Sequence, residues 1–167
     1  MQELTDIECF LLDMDGTFYL EDELIEGALE FVDLLDSQDK EYIFLTNNSS
    51  KNSKNYQSKL NRLGLTVSVE RIVNSGEVTA NYILNKATAP QAYVVGTPAL
   101  KEQFTKAGIK VVEDKALAPD YVVVGFDTTL TYKKLWAAHD LILAGADYIA
   151  TNPDYVCPLK EGKTKPD

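Results

Sequence analysis

Two aspartates one residue apart, Asp13 and Asp15, close the first apolar run of the chain, in the stretch IECFLLDMDGT over residues 7–17. Acids are costly at the end of a buried strand, so their placement asks for a chemical reason. Two carboxylates at one strand end repel each other and hold protons more tightly unless a cation lies between them. A Mg²⁺ ion relieves that repulsion, because it takes oxygen ligands and commonly combines one or two carboxylates with waters and a phosphate. Gly16 lets the backbone bend tightly and turn N–H groups toward an anion. Thr46, at the end of a second short apolar run, offers a hydroxyl, and the amides from Asn47 onward can open toward a phosphate near a helix start. On this reading Asp13, ionised, attacks phosphorus and forms an aspartyl-phosphate. Asp15 protonates the leaving oxygen and then takes a proton from the attacking water. Two acids after a strand are often no more than a solvated turn. Thr46 at the next strand end is what argues for the chemical reading.

The elements that must position these residues alternate along the chain. Residues 7–12 read as a strand, and their nearly unbroken apolar character suits a strand covered on both faces. From Ile25 onward Ala28, Leu29, Val32 and Leu35 follow helical spacing. The run YIFLT (42–46) is a second strand. A helix follows over 51–63, with Tyr56, Leu60 and Leu63 on one face and Gly64 as its stop. RIVNSG supplies a third strand, and 76–86 are helical again. Strand, helix, strand, helix, strand implies an α/β layer fold with right-handed crossovers. In such sheets ligands bind beyond the carboxyl ends of the strands, which is where Asp13, Asp15 and Thr46 fall.

NKATAPQ is a composition break, and a second α/β pattern follows it: strand AYVVG, a helix over 98–107 begun by Pro98 and closed by Gly108, strands IKVVE and YVVVG, a helix over 131–144, and strand YIATN. The last residues, CPLKEGKTKPD, carry no strand or helix signal. The expected division is 1–84 for the N-terminal part of a core, 85–155 for a second domain, and 156–167 for a return to the core.

Composition excludes several classes. The 167 residues are 45% hydrophobic and 25% charged, as in globular proteins. Lys and Arg number 16 against 26 Asp and Glu, which disfavours a nucleic-acid partner. No apolar run approaches the ~18 residues of a membrane span, and the N-terminal residues do not form a signal peptide. Cys9, in the first apolar run, reads as a small buried hydrophobe. Two distant cysteines without an export signal suggest reduced thiols in the cytoplasm. The glycosylation sequons at Asn47 and Asn48 are then idle. His139, the single histidine, lies in a helical stretch and reads as a half-exposed structural residue, with Trp136 as core. TNPD (151–154) reads first as a turn, and EDE (21–23) as a solvated loop.

The motifs together carry a resemblance. LLDMDGTFY resembles the first motif, DxDGT, of the haloacid dehalogenase superfamily of phosphatases, and FLTNNSS resembles its second. GA at 27–28, VVVGFD, LTYKKL and ADYIATNPDYVCP are similar to the nitrophenylphosphatase branch, which includes NagD-type phosphatases. The resemblance runs along nearly the whole chain in order. It implies a Rossmann-like parallel-sheet core with an α/β cap inserted after the third strand, and Mg²⁺-dependent hydrolysis of small phosphate monoesters. It makes Asp13 nucleophile and Asp15 acid/base, with the Asp13 carboxylate and the Asp15 backbone carbonyl also metal ligands, and gives Thr46 and Asn47 to the phosphate. Asn152 and Asp154 fall near the cap-to-core crossing, where substrate contact is conceivable. The family pattern continues into two further core strands bearing a lysine and an acidic pair, and this sequence stops before them. The expectation is therefore an incomplete core, with reduced or absent activity in this chain alone. Lys160, Lys163 and Lys165 lack the strand and helix that present the family's lysine, so its role is not transferred to them. A phosphotransferase using the same aspartyl-phosphate and a non-catalytic phosphate-binding module are the alternatives. The expected partner is a small phosphorylated metabolite, with no nucleic acid and no membrane, and the cap leaves room for a homo-oligomer.

Overall fold

The computed structural model describes residues 6–113 and 117–166. It contains the expected α/β architecture with parallel strands. In chain order the elements are β1 (Cys9–Asp13), β2 (Tyr19–Leu20), β3 (Glu23–Leu24), α1 (Ala28–Ser37), β4 (Glu41–Thr46), α2 (Ser53–Arg62), β5 (Ile72–Asn74), α3 (Ser75–Lys86), β6 (Gln91–Val95), α4 (Pro98–Ala107), β7 (Lys110–Val112), β8 (Tyr121–Val124), α5 (Tyr132–Leu143), β9 (Asp147–Ala150), β10 (Val156–Pro158) and β11 (Thr164–Pro166).

The chain forms two compact units. The first comprises residues 1–46, 53–73 and 155–166. Its sheet has the order β1-β4-β5, and β1 and β4 run parallel with Phe10 opposite Tyr42, Leu12 opposite Phe44 and Asp13 opposite Leu45. Side chains alternate across a strand. One face therefore carries Phe10, Leu12, Tyr42 and Phe44, and these pack with Val32 and Leu35 of α1 and Tyr56 and Leu60 of α2. The packing is dense with rings: Phe18 and Tyr42 each meet Phe44 edge-on, with centroids 4.9 and 5.7 Å apart. Burial of each such side chain contributes ~1.5–3 kcal/mol.

The opposite face departs from expectation. Cys9, Leu11 and Asp13 are all exposed, Leu11 to 64%, so β1 is covered on one face and not on two. Cys9 is accordingly an exposed thiol and not a buried hydrophobe. An apolar run records what a strand can bury, whereas coverage depends on which elements pack against it. Among the described residues β1 is an edge strand.

The second unit comprises residues 47–52 and 74–154. Its sheet has the order β7-β6-β8-β9, all parallel. Here alternation buries both faces. Ala92, Val94, Tyr121 and Val123 pack with Ala80 and Ile83 of α3 and Leu100 and Phe104 of α4. Tyr93, Val95 and Val122 pack with Ala138 and Leu141 of α5. The helix ends follow the local sequence. Thr97 Oγ accepts from Leu100 N–H at 3.3 Å ahead of Pro98, and Gly108 closes α4 at φ 101°. Trp136, expected in a core, is 60% exposed, because the buried stripe of α5 runs through Ala138 and Leu141 and leaves Trp136 on the other side.

Two short hairpins escaped the sequence pattern. β2 and β3 pair antiparallel just after the acidic turn, and β10 and β11 pair within the stretch that shows no strand signal. Strands of two or three residues are too short to display a period.

Candidate active site

Asp13 ends β1, and its partner across the ladder is Leu45, so Thr46 stands one residue further along the adjoining strand. The chain then turns over Met14–Tyr19. The Met14 carbonyl accepts from the N–H groups of Thr17, Phe18 and Tyr19 at 3.3, 3.0 and 3.1 Å, and Gly16 N–H donates to the Tyr19 carbonyl at 2.8 Å. Gly16 takes φ 90°, a left-handed conformation that a side chain disfavours, which explains a glycine directly after the second acid. Met14 is wholly buried beneath the turn, while Asp13 is exposed and Asp15 half-buried. Thr17 Oγ donates to Asp13 Oδ2 at 2.9 Å, which fixes one carboxylate oxygen.

Tyr19 lies under the acids. It is fully buried, and its backbone bridges to that of Asp15. Its hydroxyl finds no hydrogen-bond partner among the described residues. Burial, followed by the charges of Asp15, Tyr56, Asp13 and Cys157, pushes its pKa far above the ordinary phenol range, so Tyr19 stays protonated. Lys59 of α2 sits with Nζ 3.5 Å from the centre of the Tyr19 ring and is only 8% exposed. A cation over an aromatic face is favourable, more so when desolvated. Lys59 thus brings positive charge into the same neighbourhood as the acidic turn. Its signal in the sequence was its place beside Tyr56 and Leu60 on the buried stripe of α2, where a lysine is out of pattern.

Thr46 is buried to 5% exposure, on the covered side of β4. Asn47, the next residue, is held within the second unit. Its carbonyl accepts from Ser75 Oγ at 2.5 Å and from Asn152 Nδ2 at 3.0 Å, and its side-chain amide donates to Asp154 Oδ2. Ser49 Oγ shares a hydrogen bond with Thr151 Oγ at 2.9 Å and accepts from Phe126 N–H at 2.9 Å. Thr97 Oγ donates to the Ser50 carbonyl at 2.8 Å. The TNPD stretch is therefore more than a turn. It grips the residues that follow Thr46.

Other side chains singled out in the sequence stand apart from this chemistry. His139 is exposed on α5, its Nδ1 3.4 Å from Asp140 Oδ1. Lys160 pairs with Glu23 at 2.5 Å and Lys163 with Glu161 at 2.6 Å, so both are engaged with surface acids.

The donor set available to a cation is the pair Asp13 and Asp15. Among the described residues no group of three or more His, Cys, Asp or Glu side chains gathers to hold a metal. Two carboxylates on a glycine turn, one of them exposed, fit part of a hard-oxygen shell completed by water and phosphate, as Mg²⁺ prefers, and do not fit a closed nitrogen–sulfur site.

The model of the haloacid dehalogenase-like hydrolases matches residues 10–110, and the chain belongs to that family. Within it the chain falls in the NagD- and nitrophenylphosphatase-like branch. It is 36% identical over 153 residues to the acid sugar phosphatase of Staphylococcus haemolyticus, covering 92% of this chain and 57% of that protein. The 4-nitrophenylphosphatase of Thermotoga maritima superposes with a TM-score of 0.90 at 46% identity, covering 98% of this chain and 61% of that one. The glycerol phosphate phosphatase of Mycobacterium tuberculosis, solved in complex with magnesium, gives 0.88 at 29% identity, covering 99% and 50%. The chain thus spans 57% of the staphylococcal protein's length and 50–61% of these two structures.

Proposed function

We propose that the chain carries the nucleophile end of a Mg²⁺-dependent phosphatase acting on small phosphate monoesters, of the sugar-, glycerol- or nitrophenyl-phosphate kind that its relatives are named for. The observation that carries this reading is the strand-end arrangement: Asp13 exposed at the tip of β1, Asp15 two residues on across a Gly16 turn, and Thr46 at the tip of the paired strand.

In this reading Asp13, oriented by Thr17, attacks phosphorus, and the ester oxygen leaves as the acyl phosphate forms. Asp15 delivers a proton to that oxygen and then accepts one from the water that cleaves the acyl phosphate. Thr46 donates its hydroxyl hydrogen to a phosphoryl oxygen, and Asn47 holds a second. The Asp13 carboxylate and the Asp15 backbone carbonyl would hold the magnesium ion, which when bound would supply positive charge to the phosphoryl oxygens. Residues 85–155 are assigned as the cap, and a cytoplasmic setting suits the reduced cysteines. Among the described residues no helix is long and apolar enough to cross a membrane.

Replacing Asp13 by Asn tests the reading. Hydrolysis of p-nitrophenyl phosphate is expected to fall by about 10³-fold or more. Chelation of divalent metal is expected to abolish it, and added Mg²⁺ to restore it. Undiminished turnover in Asp13→Asn removes Asp13 as nucleophile. The alternative reading is a phosphate-binding module without turnover. Phosphate binding with no product release in the unmodified chain would select it.

A further inference from the structure

The loop after β4 has no regular secondary structure over Asn47–Asn52, yet its polar atoms are held from far along the chain. We propose that Asn152 and Asp154 are positioning residues for phosphate binding, which clamp Asn47 in the orientation that receives a phosphoryl oxygen. The proposal rests on the phosphate role assigned to Asn47 above.

The geometry is specific at each atom. The Asn47 carbonyl oxygen has two lone pairs, and two donors take it: Ser75 Oγ at 2.5 Å and Asn152 Nδ2 at 3.0 Å. In a trans peptide the C=O and the following N–H point opposite ways. Holding the Asn47 oxygen therefore fixes the direction of the Asn48 N–H as well. The side chain is held separately. Its Nδ2 donates to Asp154 Oδ2, a charge-assisted bond, which decides which end of the carboxamide faces Asp154. One Nδ2 hydrogen is left for another acceptor. A carboxylate at this position is thus a selector of the amide's orientation, which an apolar residue could not be.

The clamp itself is built to be stiff. Asp154 N–H donates to Asn152 Oδ1 at 3.0 Å, so the two clamping side chains sit on one turn, with Pro153 between them fixing φ. Just before it, Thr151 Oγ bonds Ser49 Oγ at 2.9 Å, so the same stretch reaches the loop at Asn47 and again two residues on. A loop ordered before ligand arrives loses less entropy on binding, which is the gain such a clamp gives. The sequence shows TNPD only as a turn, because its partners lie more than 100 positions away.

The test uses the chain with magnesium present, and inorganic phosphate as the probe. Asp154→Ala and Asn152→Ala are each expected to weaken phosphate binding about tenfold by calorimetry, and Asp154→Asn, which retains an acceptor oxygen, by no more than about threefold. Without any ligand, the Asn47 side-chain amide resonance is expected to move in Asp154→Ala, which removes the acceptor that holds it. Asn47→Ala separates the two levels of inference. If it leaves phosphate affinity unchanged, the phosphate role of Asn47 is wrong. If it weakens binding while Asp154→Ala and Asn152→Ala do not, that role stands and the clamp is overturned.

Discussion

Tyr19 keeps a hydroxyl in a fully buried place beneath the acidic turn without a hydrogen-bond partner among the described residues. An unsatisfied buried hydroxyl is a standing cost, whereas the ring earns its place through packing and through Lys59 above it. Tyr19→Phe keeps the ring and removes the cost. It is expected to leave the fold intact and raise stability by about 1 kcal/mol in urea titration. A loss of stability of that size would mean that the hydroxyl has a partner that matters. The contrast with the acids shows what the sequence makes legible at this scale. Asp13, Asp15 and Gly16 stand out because acids and a glycine directly after an apolar run conflict with local preference. The places of Thr17 and Tyr19 are not readable in the same way, since threonine and tyrosine are ordinary there and only the fold of the turn brings one onto Asp13 and buries the other. Cys9 erred in the opposite direction: its neighbours are apolar, and only the packing reveals that its face is open.

At the scale of elements, the start of α5 is fastened by a buried ion pair. Lys134 Nζ lies 2.6 Å from Asp127 Oδ2 and also donates to the Thr129 hydroxyl and carbonyl at 2.8 and 3.1 Å, with side-chain exposures of 20% for Lys134 and 2% for Asp127. Burial pushes the Asp127 carboxyl up, but the hydrogen bonds from Lys134 and Thr129 outweigh it and hold the pKa below the ordinary carboxylate value. A depressed folded pKa gives stability that is present above the unfolded pKa, about 3.9, and is lost as pH falls through the folded value. Lys134→Met strands the buried carboxylate and is expected to cost about 3 kcal/mol at pH 7. The difference from the unmodified chain should shrink as pH drops below about 4. A difference that is constant from pH 7 to pH 3 would show that the pair contributes nothing through its charge. The helix itself was legible, because Thr131 as cap and the spacing of Ala138 and Leu141 are local. The pair was not, since a Lys seven residues after an Asp has no local meaning until the loop folds between them. The hairpins β2–β3 and β10–β11 were hidden for a related reason: their pairing, and not their periodicity, makes them strands.

For the molecule as a whole, the two sheets differ in how fully they are covered. The second sheet has helices on both faces and buries alternate residues to each side. The first packs one face of β1 and β4, and leaves Cys9 and Leu11 open on an edge strand. Both sheets read alike as apolar runs, so this asymmetry belongs to assembly and could not come from local sequence. The open face has a chemical consequence that Cys9 reports, with Cys157 as the buried reference. Cys157 lies in β10 at 9% exposure, whereas Cys9 is exposed. A water-soluble aromatic disulfide added to the native chain is expected to react rapidly with one thiol per molecule, at Cys9, and with the second only on unfolding. Exposed edges with an apolar residue also invite strand pairing between molecules. Leu11→Thr, which introduces a β-branched residue suited to a strand and removes apolar surface from that edge, should lower concentration-dependent association in light scattering while changing stability by less than about 0.5 kcal/mol. If both thiols react slowly, or if Leu11→Thr destabilises the chain by several times that amount, the Cys9 face is covered in solution and the one-sided sheet is wrong.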